Sequence, residues 1–265
     1  MSEIIVFCFP RTGSSVFGKW LTDADYVDFK EIYALEYNFN ILAIPESGEA
    51  VTEEYINHCD SIECLECCDF ETKVNKTYNA FKDHGTPNKF LYKMFLGWHA
   101  HYCQQQFYID YIKDKTKILL IRKDFADWVS SIALQNTNQY LGHQNNKEQL
   151  SMLFSDKLLN DLFFGFQILL EFVDSLDYIV IYEDAIKDKL VDTQLAEAFG
   201  IEQRFDSHVS LIDNPKVLKQ KYVRNFDKFL KVLNEEGYQK RYNELLSAIN
   251  EKYVVNGKAR LIGTL

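Results

Sequence analysis

The sequence predicts an α/β fold in three layers, a parallel β-sheet of about four to five strands with helices on both faces. Three observations carry this expectation. Short apolar runs at residues 4–9, 89–95, 117–121 and 178–182 read as buried strands. Helical periodicity fills the stretches between them, at residues 14–22, 100–112, 125–134, 150–175 and 188–199. Strand, tight polar turn and helix also follow one another at the start of the chain. Strands that alternate with helices pair in parallel through right-handed crossovers.

Each element has its own signals. The first run ends at Pro10, and Ser14 or Ser15 can start the next helix. Residues 26–29 read as a short second strand and residues 31–40 as a helix. Residues 45–88 read as a helical insertion or lid on a single domain spanning 1–265. Gly200 stops the helix that begins near Asp188, and beyond Pro215 the pattern is helical almost to Tyr253. Hydrophobic residues make up 47% of the chain, enough for one large core.

Charge narrows the partners. The chain carries 39 acidic and 29 basic residues, a net charge of −10. That balance argues against the broad basic face of a nucleic-acid binder. A small polyanion remains compatible, provided a few cations converge locally. No apolar run reaches the ~20 residues that span a bilayer, and the N-terminus reads as a strand, so a cytoplasmic protein is expected. The six cysteines (Cys8, Cys59, Cys64, Cys67, Cys68 and Cys103) are then expected as free thiols. Four of them, beside His58, suffice in number for tetrahedral zinc. Adjacent Cys67 and Cys68 are awkward ligands for one ion, and buried thiols on a helical insertion are the default.

Parallel sheets bind ligands at the carboxyl ends of their strands. The loops that matter therefore follow Phe9, Phe95, Ile121 and Tyr182. The first reads Pro10-Arg11-Thr12-Gly13-Ser14-Ser15. A helix N-terminus offers open N–H groups and a positive dipole end, and both favour an anion. Gly13 allows close backbone approach; Arg11, Ser14 and Ser15 add side-chain donors. The nucleotide-triphosphatase P-loop, G-x-x-x-x-G-K-[ST], is the nearest common motif. Aligned on Gly13, it places Cys8 at the first glycine and Ser14 at the lysine, so the phosphate-binding lysine is missing.

The second loop gives Arg122 at a strand end and Ser130 eight residues on, about two turns into the next helix. Both can reach one phosphate: arginine with a fixed fork of donors, serine with one more. The structural alternatives are that Arg122 caps a sheet edge or pairs with Asp124 or Asp127.

Together these loops resemble those of sulfotransferases that use 3′-phosphoadenosine-5′-phosphosulfate (PAPS). That family shows Pro-(Arg/Lys)-(Ser/Thr)-Gly-(Ser/Thr)-(Ser/Thr) after its first strand and Arg-x-Pro-x-(Asp)-x-x-x-Ser later. Here Asp124 replaces the proline of the second motif. A strand ending in Tyr182-Glu183-Asp184 is also similar to the family, in an architectural role. Residues 218–225, with Lys219 and Arg224, resemble its late basic segment that closes over PAPS. The resemblance covers residues 3–40, 89–135 and 176–225.

It implies a P-loop-like sulfotransferase fold, PAPS as donor with adenosine 3′,5′-bisphosphate as product, and no metal. It further implies that Arg11, Thr12, Gly13, Ser14 and Ser15 hold the 5′-phosphosulfate. Arg122 and Ser130 would hold the 3′-phosphate, with Lys219 and Arg224 nearby. Lys93 lies where the family strand carries a lysine, but the catalytic histidine that follows two residues later is Phe95 here. Lys93 either faces the sulfuryl group or is a snorkelling surface lysine.

Another branch of the family uses a glutamate after the second strand as base, and Glu31 fits that placement. Screened by Phe29 and Tyr33, its carboxylate would have a raised pKa. Its plainer role is to start a helix. His99 and His101 are the reserves. The acceptor is a small molecule or glycan of unknown identity; Tyr33, Tyr37, Phe39, Trp98 and Tyr102 either line its pocket or belong to the core. A nucleotide kinase or other phosphotransferase, and a non-catalytic nucleotide-binding protein, are the competing readings.

Overall fold

A computed structural model describes residues 2–22, 26–28, 89–96, 106–136, 156–205 and 225–265. The expected helix at 31–40, the insertion at 45–88, the clustered cysteines and Cys103 lie outside the described residues, and so do His99, His101, Trp98 and Tyr102.

Six strands form one sheet in the order β2-β3-β1-β4-β5-β6, and every neighbouring pair is parallel. They are β1 (Ser2–Cys8), β2 (Val27–Asp28), β3 (Lys89–Phe95), β4 (Thr116–Ile121), β5 (Tyr178–Ile181) and β6 (Arg260–Ile262). The helices are α1 (Ser14–Thr22), α2 (Gln106–Ile112), α3 (Phe125–Asn136) and α4 (Asp156–Phe172). They continue with α5 (Tyr182–Lys187), α6 (Lys189–Phe199), α7 (Phe226–Glu235) and α8 (Tyr238–Ile249). The α/β class stands.

Alternation along β1 builds both faces. Ile5, Phe7 and Phe9 pack with Trp128 of α3, Phe166 of α4, Phe229 of α7 and Tyr242 of α8. Ile4, Val6 and Cys8 pack on the other face with Phe17 and Trp20 of α1 and Leu195 of α6. The strands read as continuous apolar runs because each face has its own helical cover. Cys8 is a buried thiol outside any disulfide.

Two corrections concern the end of the chain. The stretch expected to be helical almost to Tyr253 is helical from Phe226, within the described residues, and divides at Gly237, whose φ of 72° separates α7 from α8. A π-helical segment, Asn250–Val255, then leads into β6, which enlarges the sheet beyond the expected four to five strands. The C-terminal region is therefore not purely helical. In the π-segment the Tyr253 hydroxyl lies 2.8 Å from the carbonyls of both Leu169 and Val173 and donates its one proton to either, which ties the π-segment to the end of α4. Among the described residues, no helix is long and apolar enough to cross a membrane.

The sheet order fixes where a ligand site can be. After β1 the chain moves to one side of the sheet with α1 on one face; after β4 it moves to the other side with α3 on the opposite face. The adjacent carboxyl ends of β1 and β4 are thus the switch point, where such sheets open a crevice.

Gly165 lets α4 sit directly on this edge. A Cβ there would lie 2.6 Å from the Leu96 carbonyl oxygen and 2.9 Å from Phe9 Cε1. Alanine improves helix propensity by about 1 kcal/mol, but overpacking against a backbone carbonyl costs roughly 1–3 kcal/mol. Gly165→Ala is therefore expected to lower the free energy of urea unfolding; an unchanged or raised midpoint would show that the contact yields.

Candidate anion-binding site

The first loop is a strained turn. Arg11 has φ 65°, the one positive φ outside glycine among the described residues. Left-handed backbone at a non-glycine costs about 1–2 kcal/mol and tends to persist at functional positions. Thr12 braces the turn: its hydroxyl donates to the Phe9 carbonyl at 2.8 Å and its side chain is fully buried. Thr12 thus shapes the loop, with its hydroxyl committed inward. The Phe17 N–H donates to the Gly13 carbonyl at 2.9 Å, which opens α1. The first-turn N–H groups, those of Ser14 and Ser15 included, have no carbonyl one turn back within the helix. Ser14 is buried and Ser15 exposed.

Gly13 is required twice. Its φ is 88°, and a Cβ would lie 2.1 Å from Tyr182 Cε2. The ring of the residue after β5 therefore packs against the turn after β1. On the α3 side, the Trp128 indole donates to the Pro10 carbonyl at 2.9 Å, tying the same turn to the helix after β4.

The second loop is organised by Arg122, which is 9% exposed. Its Nε donates to Glu183 Oε1 at 2.8 Å, and a terminal nitrogen donates to Asp127. Its carbonyl accepts from the Tyr242 phenol of α8. The guanidinium carbon stands 5.4 Å from the Tyr182 ring centroid. Burial works against the Arg122 charge, but Asp127 and Glu183 outweigh it, and its pKa is raised. So the pairing with Asp127 considered from sequence does occur, and Glu183 joins it. Ser130 is fully buried, and its hydroxyl donates to the Asp127 carbonyl at 2.8 Å. Asp124, where the resembled motif has proline, caps α3 by accepting the Asp127 N–H at 2.9 Å.

Arg11 and Arg122 share this edge. Partial burial first, and then the nearby Arg122 charge, lower the Arg11 pKa. Both guanidinium charges also act on Tyr182, whose pKa burial nonetheless raises, so the phenol stays neutral. Lys93 is 3% exposed on β3, in register with Val6 of β1. It shares the α1 face with Leu91, two positions away along the strand, and is not a surface lysine. Glu31, Lys219 and Arg224 lie outside the described residues. Among those described, no group of three or more His, Cys, Asp or Glu side chains is placed to hold a metal ion.

Tyr182-Glu183-Asp184 proves to be the hub. Tyr182 fills the Gly13 notch and Glu183 holds Arg122 while accepting the Lys123 N–H at 3.0 Å. Asp184 pairs with the Lys123 ammonium and accepts from Thr264 N–H at 2.8 Å and Thr264 Oγ1 at 3.0 Å. Sequence reasoning gave this triplet an architectural role and named Asp127 among the alternative partners of Arg122, but missed Glu183 and Tyr242. The carboxylate of Asp127 was visible at the start of a helix; Tyr242, 120 residues from Arg122, carried no local signal.

No model of a known protein family and no curated protein matches the chain.

Burial alone would raise the Asp184 pKa, but the bonds from Lys123 and Thr264 prevail and hold it below the ordinary value of 3.8. A carboxyl depressed on folding contributes stability that is present above its unfolded pKa and lost as pH falls through the folded one. Asp184→Asn is therefore expected to reduce stability at neutral pH and to shrink the acid-side loss below about pH 4. Parallel pH–stability curves for the two proteins would show that Asp184 does not contribute.

Proposed function

We propose that the chain is a PAPS-dependent sulfotransferase with a P-loop-like sulfotransferase fold. One observation carries the reading: Arg11 and Arg122 leave adjacent strands at one carboxyl edge, near enough for one charge to depress the pKa of the other. A doubly phosphorylated adenosine needs two such cationic loops side by side. The strained turn at Arg11, the Gly13 notch and the open end of α1 add support at the phosphosulfate end.

In this reading an acceptor hydroxyl attacks sulfur in line. The new S–O bond forms as the bond to the bridging phosphate oxygen breaks, and the acceptor proton passes to a base. Arg11 and the α1 N-terminus stabilise charge on the leaving phosphate. Glu31 is the proposed base, with His99 and His101 in reserve, and Lys93, Lys219 and Arg224 are further proposed contacts. The acceptor is a small molecule or glycan.

A second reading, a nucleotide-binding protein or phosphotransferase that does not read the 3′ position, draws on a different observation. Both donors expected to hold the 3′-phosphate, Arg122 and Ser130, already have partners within the fold.

Binding separates the two. Removing Arg122 outright would strand two buried carboxylates, so Arg122→Lys, which keeps a charge but loses the fork, is the cleaner variant. Adenosine 3′,5′-bisphosphate is expected to bind Arg122→Lys at least roughly tenfold more weakly, with 5′-AMP changed by less than about twofold. Equal losses for both ligands would leave no 3′-phosphate site. With labelled PAPS and host extract, Glu31→Gln is expected to keep bisphosphate affinity and lose transfer. Undiminished transfer would remove Glu31 from the mechanism.

A further inference from the structure

Asp127 occupies both donors of the second loop at once. Its carboxylate accepts from the terminal nitrogen of Arg122, and its backbone carbonyl accepts the Ser130 hydroxyl at 2.8 Å. A hydroxyl has one proton to give, so a phosphate that takes it must displace the Asp127 carbonyl. The guanidinium, 9% exposed, has its Nε committed to Glu183. One of its terminal nitrogens faces a carboxylate, which is the chemistry a phosphate oxygen presents.

Charge points the same way. Arg122, Asp127 and Glu183 together carry one positive and two negative charges, and the nearby Arg11 charge brings this edge only to neutrality. An arriving anion meets no net positive charge there unless one carboxylate withdraws. Glu183 is the less able to withdraw, because its second oxygen also accepts the Lys123 N–H at 3.0 Å. Asp127 reaches Arg122 from the first turn of α3, beginning one residue after the Asp124 cap. A side-chain rotation there would release the guanidinium, whereas the Ser130 hydroxyl is held by the Asp127 backbone carbonyl and would stay in place.

We infer that the Asp127 carboxylate is an internal competitor for the anion at the second loop, holding Arg122 until a phosphate displaces it. The inference rests on the nucleotide reading above and adds a device to it. Such a competitor weakens the hold on a doubly phosphorylated product and speeds its departure.

Calorimetric titration with adenosine 3′,5′-bisphosphate and with 5′-AMP tests this on the full chain. Asp127→Asn keeps size and polarity and removes the charge. It is expected to bind the bisphosphate roughly tenfold more tightly than the unaltered protein, with slower dissociation, while 5′-AMP binding stays within about twofold. A positioning role for Asp127 predicts the opposite sign. If Asp127→Asn binds the bisphosphate equally or more weakly while the unaltered protein still prefers it over 5′-AMP, the competitor is overturned and the nucleotide reading stands. If neither protein distinguishes the two nucleotides, the nucleotide reading falls and takes this inference with it. Should Asp127→Asn lose its cooperative melt, Asp127→Ser, which shortens the side chain away from the guanidinium, takes its place with the same expected sign.

Discussion

A buried guanidinium has to be neutralised where it stands, and the carboxyl edge of this sheet is arranged around that requirement. Arg122 leaves β4 with 9% of its surface exposed. Its charge is met by Glu183 after β5 and Asp127 on α3, and its carbonyl by the Tyr242 phenol on α8. Removing one member of such a cluster leaves an uncompensated buried charge or donor, which costs several kcal/mol. The three elements are consequently fixed relative to the end of β4. Tyr182, neighbour of Glu183, is carried to within packing distance of Gly13, and the first loop inherits its place from the second.

That dependence explains the division of labour at the edge. The loop after β1 offers backbone donors and an arginine in a strained conformation, while its threonine is spent on the turn itself. The loop after β4 contributes a charge already shared with two carboxylates. The first loop leads into an open helix end, whereas the donors of the second are paired within the fold. The switch point of the sheet brings the two side by side because α1 and α3 leave on opposite faces.

The central strands were legible in sequence because burial on both faces demands unbroken apolar runs, and 89–95 matches β3 residue for residue. The first loop was legible because Gly13 and its neighbours are a local pattern. β6 was not: three residues beginning with Arg260 contain no period, and their pairing with β5 is a long-range event. Nor was the state of Arg122, since its partners come from three separate elements. Spacing identified Arg122 and Ser130 as neighbours; only the fold shows that Asp127 bonds to both. For Thr12 the residue type suggested a ligand group, and the geometry turned it inward.

The Tyr242 phenol has a further consequence for how the molecule comes into being. A chain leaving the ribosome presents Arg122 and both of its carboxylates long before residue 242 emerges, because that residue lies 120 positions later. Until α8 arrives, the Arg122 carbonyl lacks its donor and the aromatic cover of Phe125 and Trp128 is incomplete. Completion of this edge thus waits for α8, and an amino-terminal fragment ending before α8 would have at most the first five strands, without the Tyr242 bond.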